Sequence, residues 1–222
     1  AIHYFNLSAN LNNSNAQQYL GHIYLNNLYV SHDINKAIYY FTLSANQNNA
    51  ESQYFLGMIY YDNKYIKRDI DKSIHYFTLA ANQNVTISQA YLGRIYYEGK
   101  YVQRDIVKSI HYLTLAANQN DKLSQFYLGT IYYEGKYILR DINKSIHYFT
   151  LSVNYNKGMS EYFLGMIYYE GKYILRDINK SIHYFTSAAN QNNAESQLYL
   201  GVIFYDKKFV QRDIDKAIFF LN

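Results

Sequence analysis

The sequence predicts an all-α fold, a solenoid of 36-residue helix–turn–helix repeats, and three observations predict it. Gly21, Gly57, Gly93, Gly129, Gly165 and Gly201 follow one another at a step of 36 residues without a slip, the signature of a stacked repeat array. Asp33, Asp69, Asp105, Asp141, Asp177 and Asp213 keep the same step, as do Lys36, Lys72, Lys108, Lys144, Lys180 and Lys216. Proline is absent from all 222 residues, as suits a chain made mostly of helix, because an interior proline removes a hydrogen bond and clashes with the preceding turn.

The unit around Gly93 shows why each element forms. Ser88, Leu92, Ile95 and Tyr96 recur at helical spacing and give a first helix one packed face, ending near Glu98. Gly99 follows. Its equivalents are Gly135, Gly171, Asn27 and Asn63, residue types that accept the left-handed conformation closing a helix, with Lys207 as the exception. Asp105 precedes a second apolar-periodic run and is the expected cap of a second helix, whose stripe is Ile106, Ile110, Leu113 and Ala117 and which stops at Asn118 to Asn120. Lys108 opposes the dipole of that helix slightly, a cost of a few tenths of a kcal/mol that a neighbouring carboxylate offsets. Gly93 lies inside a helix, where glycine costs roughly 1 kcal/mol relative to alanine. A close helix crossing explains it, with Ser109 and the Ala116–Ala117 pair as its expected neighbours.

These columns together resemble Sel1-like repeats: Ser124 with Leu128-Gly129-Thr130-Ile131-Tyr132, an acidic-Gly turn, Asp105-Ile106-Val107-Lys108-Ser109, and the closing Ala116-Ala117. The resemblance covers essentially the whole chain. Tyr112 and its counterparts Tyr40, Tyr76, Tyr148 and Tyr184 stand where the family usually has tryptophan, and its Gly-x-Gly turn is reduced to Gly99-Lys100-Tyr101. Tetratricopeptide repeats are the nearest rival, but their period is 34 residues and they often carry a proline after the second helix. The resemblance implies a right-handed superhelix serving as an adaptor or scaffold in protein complexes. Some cysteine-rich bacterial members look like enzymes acting on beta-lactams, and a chain without cysteine stands apart from them.

Composition narrows the function classes further. With 49% hydrophobic residues and no low-complexity block, the chain reads as packed and soluble. Cysteine is absent, so no disulfide framework, thiolate metal site or cysteine nucleophile is available. The 21 basic and 17 acidic residues are interleaved, whereas nucleic-acid binders concentrate a basic stripe, so nucleic acid is disfavoured as a partner. No stretch approaches the roughly 20 apolar residues that span a bilayer, and no signal-peptide pattern opens the chain, which favours the cytoplasm. Both ends cut through a repeat. The chain therefore reads as one array over residues 1–222, with five complete units from 16 to 195 and partial units at 1–15 and 196–222, taken from a longer protein that could carry an enzyme such as a kinase.

His3, His75, His111, His147 and His183 form a ladder, but neighbouring helices pack at about 8 to 10 Å, whereas zinc ligands must each reach within about 2 Å of one ion. A solvated face is the expected reading. The stretch from Gly129 to Tyr137 is only superficially like a phosphate loop, with one residue too many between its glycines and tyrosine where serine or threonine must hold magnesium. No catalysis, cofactor or metal is expected within the chain. Arg68, Arg104, Arg140, Arg176 and Arg212 precede the capping aspartates, and ion pairing with nearby carboxylates is preferred there over a basic edge for acidic partners.

The candidate binding face lies opposite the packed stripe of the first helix, where stacked pairs would line a concave groove. One column there reads Gln18, Tyr54, Ala90, Phe126, Tyr162 and Leu198, and the next His22, Met58, Arg94, Thr130, Met166 and Val202. Tyr61, Tyr97, Tyr133, Tyr169 and Tyr205 follow, with Asp62, Glu98, Glu134, Glu170 and Asp206 as an acidic margin. Tyrosine offers large area with few rotatable bonds and is enriched at interfaces, so a protein or peptide segment, basic in character, is the expected ligand. Carbohydrate binding by the rings, nucleic-acid binding by the Lys/Arg edge and a regulatory role in a larger enzyme are the alternatives.

Overall fold

The computed structural model describes residues 2–26, 31–206, 210–211 and 213–221; Asn27, Lys207 and Arg212, named above, lie outside them. Among the described residues there are thirteen α-helices and no strand. The chain divides into two compact units, Ala1–Ala116 and Ala117–Asn222. In the first, α1 (Ile2–Asn10) precedes the pairs α2 (Ser14–Leu25) with α3 (Ile34–Asn46), α4 (Ala50–Tyr61) with α5 (Ile70–Asn82), and α6 (Thr86–Glu98) with α7 (Ile106–Ala117), whose last residue counts with the second unit. In the second, α8 (Lys122–Glu134) pairs with α9 (Ile142–Leu151), α10 (Met159–Glu170) with α11 (Ile178–Ala189), and α12 (Ala194–Tyr205) with α13 (Ile214–Leu221).

The aspartate column starts each second helix. Asp105 Oδ1 accepts the Lys108 backbone N–H at 2.9 Å, and Asp33, Asp69, Asp141, Asp177 and Asp213 repeat the bond. The other carboxylate oxygen of Asp105 lies 3.5 Å from Lys108 Nζ, which answers the unfavourable placement of a cation near a helix N-terminus. The Asp105 backbone N–H donates back to the Tyr96 carbonyl at 3.1 Å, closing the turn between the pair.

First helices do not all end alike. Gly99, Gly135 and Gly171 take φ of +60°, +57° and +57°, the left-handed closure their residue type favours. Asn63 does not. There α4 stops at Tyr61, Asp62 is extended at ψ 131°, and the Asn63 side chain accepts the Arg68 backbone N–H at 3.2 Å. A side-chain acceptor, which glycine lacks, holds that turn without left-handed strain. The reverse turn, from second helix to next first helix, uses left-handed asparagines: Asn12, Asn48, Asn84, Asn120 and Asn192 have φ of +62° to +65°. The residue after most of them caps the following helix, as when Asn49 Oδ1 accepts the Ser52 backbone N–H at 2.9 Å. Such a cap contributes about 1 kcal/mol. Val85 occupies this column before α6 and makes no cap.

The helical glycines make room for a large side chain, not for the Ala116–Ala117 pair. A Cβ on Gly57 would lie 2.5 Å from Phe77 Cδ1, and on Gly93 2.6 Å from Leu113 Cγ. Phe41, Phe77, Leu113, Phe149 and Phe185 are fully buried at these crossings, each burial stabilising by roughly 1.5–3 kcal/mol. Ser109 is a neighbour as expected, and its hydroxyl donates to the Gly93 carbonyl at 2.8 Å.

A glutamine column is buried within each unit. Gln17, Gln53, Gln89 and Gln125 are buried; Gln89 Nε2 donates to the Ala81 carbonyl and to Asn84 Oδ1, each at 3.2 Å. Glu161 takes the column's place in α10, fully buried, and a carboxylate has no N–H to give. The junction before it is rebuilt. The second helix α9 ends early at Leu151, Asn154, Asn156, Lys157 and Gly158 all have positive φ, and the Asn154 backbone N–H turns to donate to Glu161 Oε1 at 2.9 Å. Lys122 Nζ closes the shortened helix by donating to the Leu151 and Val153 carbonyls at 3.1 and 2.9 Å.

Candidate functional site

The candidate face is a row of half-buried rings in each unit. In the first, Tyr54, Met58 and Tyr61 pack on the core formed by Phe77, Leu92 and Ile95. The Tyr61 ring meets Tyr91 edge-on at 5.5 Å, and Tyr91 stacks on Phe77 at 5.0 Å with the planes 11° apart. Arg94 reaches across to this row: Nη2 donates to the Tyr61 hydroxyl at 3.0 Å, the guanidinium lies 4.9 Å over Tyr91, and Nε stands 3.6 Å from Glu98 Oε1. Ala90 is buried at 6% exposure, so at that repeat the accessible places are Arg94, Tyr97 and Glu98.

The second unit repeats the arrangement. Phe126 and Tyr133 pack on the Phe149 core, and Tyr162, Met166 and Tyr169 on the Phe185 core. Tyr133 meets Phe163 at 5.4 Å and Tyr169 meets Tyr199 at 5.4 Å, while Phe163 and Tyr199 stack on Phe149 and Phe185 at 5.0 Å. The Thr130 hydroxyl donates to the Phe126 carbonyl within its own helix. Glu134 is exposed and Glu170 half-buried. Burial pushes the Tyr133 and Tyr162 hydroxyls above the ordinary tyrosine range, and the Glu170 carboxylate adds to the shift. Tyr54 and Tyr199 are raised by burial too. These phenols stay protonated and can donate as well as accept.

The sequence pattern did not reveal the Phe55, Tyr91, Phe163 and Tyr199 column that links these rings to the core. Its signal is an aromatic immediately before each Leu-Gly pair. A second aromatic series joins the helices of each pair: Tyr96 stacks on Tyr112 at 6.2 Å and Tyr60 on Tyr76 at 5.9 Å, with the Lys108 and Lys72 ammonium groups 5.2 and 5.1 Å over the first-helix rings.

The arginine column reaches back to the main chain. Arg68 and Arg104 donate Nε to the Tyr61 and Tyr97 carbonyls at 2.6 and 2.7 Å, and Arg140 and Arg176 donate Nη2 to the Glu134 and Glu170 carbonyls at 2.8 and 3.0 Å. The guanidinium satisfies main-chain acceptors left over at the end of the first helix, where cations are favoured. His3, His75, His111, His147 and His183 are exposed, and the latter four each lie edge-on to the following tyrosine at 5.1–5.3 Å. Among the described residues no group of three His, Cys, Asp or Glu side chains could hold a metal ion, and no helix is long and apolar enough to cross a membrane.

Comparison with known proteins bears on this face through the repeat itself. A family model described as Sel1 repeat matches residues 1–13, 14–49, 50–85, 86–121, 122–154, 158–193 and 194–222. The break at 155–157 coincides with the rebuilt junction before Glu161. The crystal structure of a protective antigen present in uropathogenic Escherichia coli strains, displaying an SLR fold, is 24% identical with a TM-score of 0.88. That match covers 99% of this chain and 47% of the other, so the chain spans about half the length of that relative. A Sel1 repeat protein from Oxalobacter formigenes is 25% identical with a TM-score of 0.70, covering 95% of this chain and 86% of the other. No curated protein sequence matches.

Proposed function

The chain belongs to the Sel1 repeat family, whose repeats generally mediate protein–protein interaction, and we propose that this one is a scaffold holding an extended, basic protein segment on its first-helix tyrosine face without catalysis of its own. The observation that supports this reading is the half-exposed pair Tyr61 and Tyr97 in the first unit and Tyr133 and Tyr169 in the second, with Glu98, Glu134 and Glu170 each one residue beyond its tyrosine. Protonated phenols and carboxylates together suit lysine, arginine and main-chain groups of a ligand. The columns of His22, Met58, Arg94, Thr130, Met166 and Val202 vary from repeat to repeat, which gives each step of the face its own chemistry.

Because Tyr133 and Tyr169 also pack on core rings, Tyr97→Ala, Tyr133→Ala and Tyr169→Ala together test contact only if circular dichroism shows the helices intact. A second variant avoids that condition. Glu98→Lys, Glu134→Lys and Glu170→Lys reverse the acidic margin at positions that leave the core untouched. Both variants should lose capture of a basic partner; undiminished capture by the charge-reversed chain would exclude the face.

A further inference from the structure

The turns of the second unit carry a feature that the tyrosine face does not use. Residues 134–141 and 170–177 are the same eight residues, Glu-Gly-Lys-Tyr-Ile-Leu-Arg-Asp. Each copy projects a leucine, Leu139 and Leu175, that is 92% exposed. The equivalent places in the first unit are Ser31, Lys67 and Gln103. Burial in the chain therefore does not account for leucine at these two tips. Beside Leu139 opens a surface cavity of about 560 Å³ lined by Tyr132, Arg140, Lys144 and Tyr173 among others. Its cations are held in place: the Arg140 guanidinium lies 4.5 Å over the Tyr173 ring while donating to the Glu134 carbonyl, and Lys144 Nζ sits 5.0 Å over Tyr132.

We propose that this turn edge is a second docking surface, for an acidic protein segment with an apolar anchor. Lys136, Arg140, Lys144, Lys172, Arg176 and Lys180 outnumber the carboxylates Glu134, Asp141, Glu170 and Asp177 around the two tips. Asp141 and Asp177 are already engaged by the helix N–H groups they cap and by Lys144 and Lys180. An apolar side chain of the ligand enters between Leu139 and Tyr173, and its flanking carboxylates meet the cations. Neighbouring helices pack about 8 to 10 Å apart, and a ligand in the polyproline II conformation rises about 3.1 Å per residue with three residues per turn, so anchors three residues apart fall on one side and engage both leucines. An anionic membrane is the weaker fit, because two leucines offer less apolar contact than one acyl chain, which by itself anchors only marginally.

The test uses the whole chain and a fluorescent hexapeptide, Asp-Leu-Glu-Asp-Leu-Glu, followed by anisotropy. Binding should weaken about tenfold or more in the double variant Leu139→Ser with Leu175→Ser, and with added salt, and also when the peptide's leucines are replaced by serine. The Tyr97→Ala, Tyr133→Ala and Tyr169→Ala variant, its helices intact by circular dichroism, should bind the peptide as the native chain does, which separates this surface from the tyrosine face. Equal binding by the double leucine variant overturns the proposal. So does failure of the native chain to bind the peptide, or leucine-dependent binding to phosphatidylserine vesicles without peptide binding.

Discussion

The Phe149 ring lies directly against Gly129: a Cβ built on the glycine would come within 2.6 Å of Cδ1 and 2.8 Å of Cε1. Phe149 is fully buried and has nowhere to swing. Gly129→Val should therefore cost about 1–3 kcal/mol through overpacking, and Phe149→Ala about 3–5 kcal/mol through the cavity it leaves. Since each change relieves what the other disturbs, the double variant should be more stable than the sum predicts. Urea melts followed by circular dichroism measure all three; simple additivity would mean that the two residues do not share one site.

That pair also shows where sequence reasoning stops. The 36-residue step of Gly129 marked a place in every repeat that tolerates no side chain, but periodicity along one helix does not say which residue of another helix arrives there. Phe149, and not the small Ala116–Ala117 type of pair, comes to the crossing because it lies twenty residues on, next to Ser145, whose hydroxyl reaches the Gly129 carbonyl at 3.0 Å. The Asp105 cap was legible because its bond spans three residues of one segment. Asn63 shows the limit of reading by residue type: it shares a column with Gly99, yet its side chain offers a second way to close the turn. Ala90 was placed on the open face by its position on the helix wheel, and packing between repeats buries it. Tyr61 and Tyr91, thirty residues apart, meet only because successive first helices lie side by side.

The capping aspartates make acid stability predictable. The backbone N–H of the lysine three residues on holds the Asp33, Asp69, Asp105 and Asp213 carboxyls below their ordinary value, against a smaller opposing effect of burial. A pKa lower in the folded chain means stability fully present above the unfolded value of about 3.9 and lost as pH falls through the folded value. Stability should be flat near neutrality and decline below about pH 4. Asp105→Asn keeps a capping oxygen but does not titrate, so its loss of stability between neutral and acid pH should be the shallower one. An identical acid slope for the variant would rule out a contribution from this cap.

Alkaline pH acts on the rings with the opposite sense. Burial raises the Tyr54, Tyr133 and Tyr162 hydroxyls, so the protonated phenol is the form the fold holds. Their contribution is complete below the unfolded value of about 10 and is lost as pH rises through the folded values. Tyr133→Phe with Tyr162→Phe keeps both rings and removes both ionisations. Helix loss in this variant should begin at higher pH than in the native chain, monitored by circular dichroism alongside tyrosinate absorbance; an unchanged onset would show that other groups set the alkaline limit.

Glu161 supplies the most direct test of the interior. Its Oε1 accepts the Asn154 backbone N–H at 2.9 Å and Gln191 Nε2 at 2.7 Å, while Oε2 is buried with no hydrogen-bond partner. A buried acceptor without a partner costs about 1–3 kcal/mol, and more when it carries charge. Gln89, in the same column of its own repeat, spends its Nε2 on the Ala81 carbonyl and Asn84 Oδ1. Glu161→Gln preserves the Oε1 acceptor, removes the buried charge and restores a donor to the column. The variant should unfold at higher urea than the native chain. A less stable variant would show instead that the rebuilt turn at 152–158 depends on the carboxylate, and that the charge organises this junction.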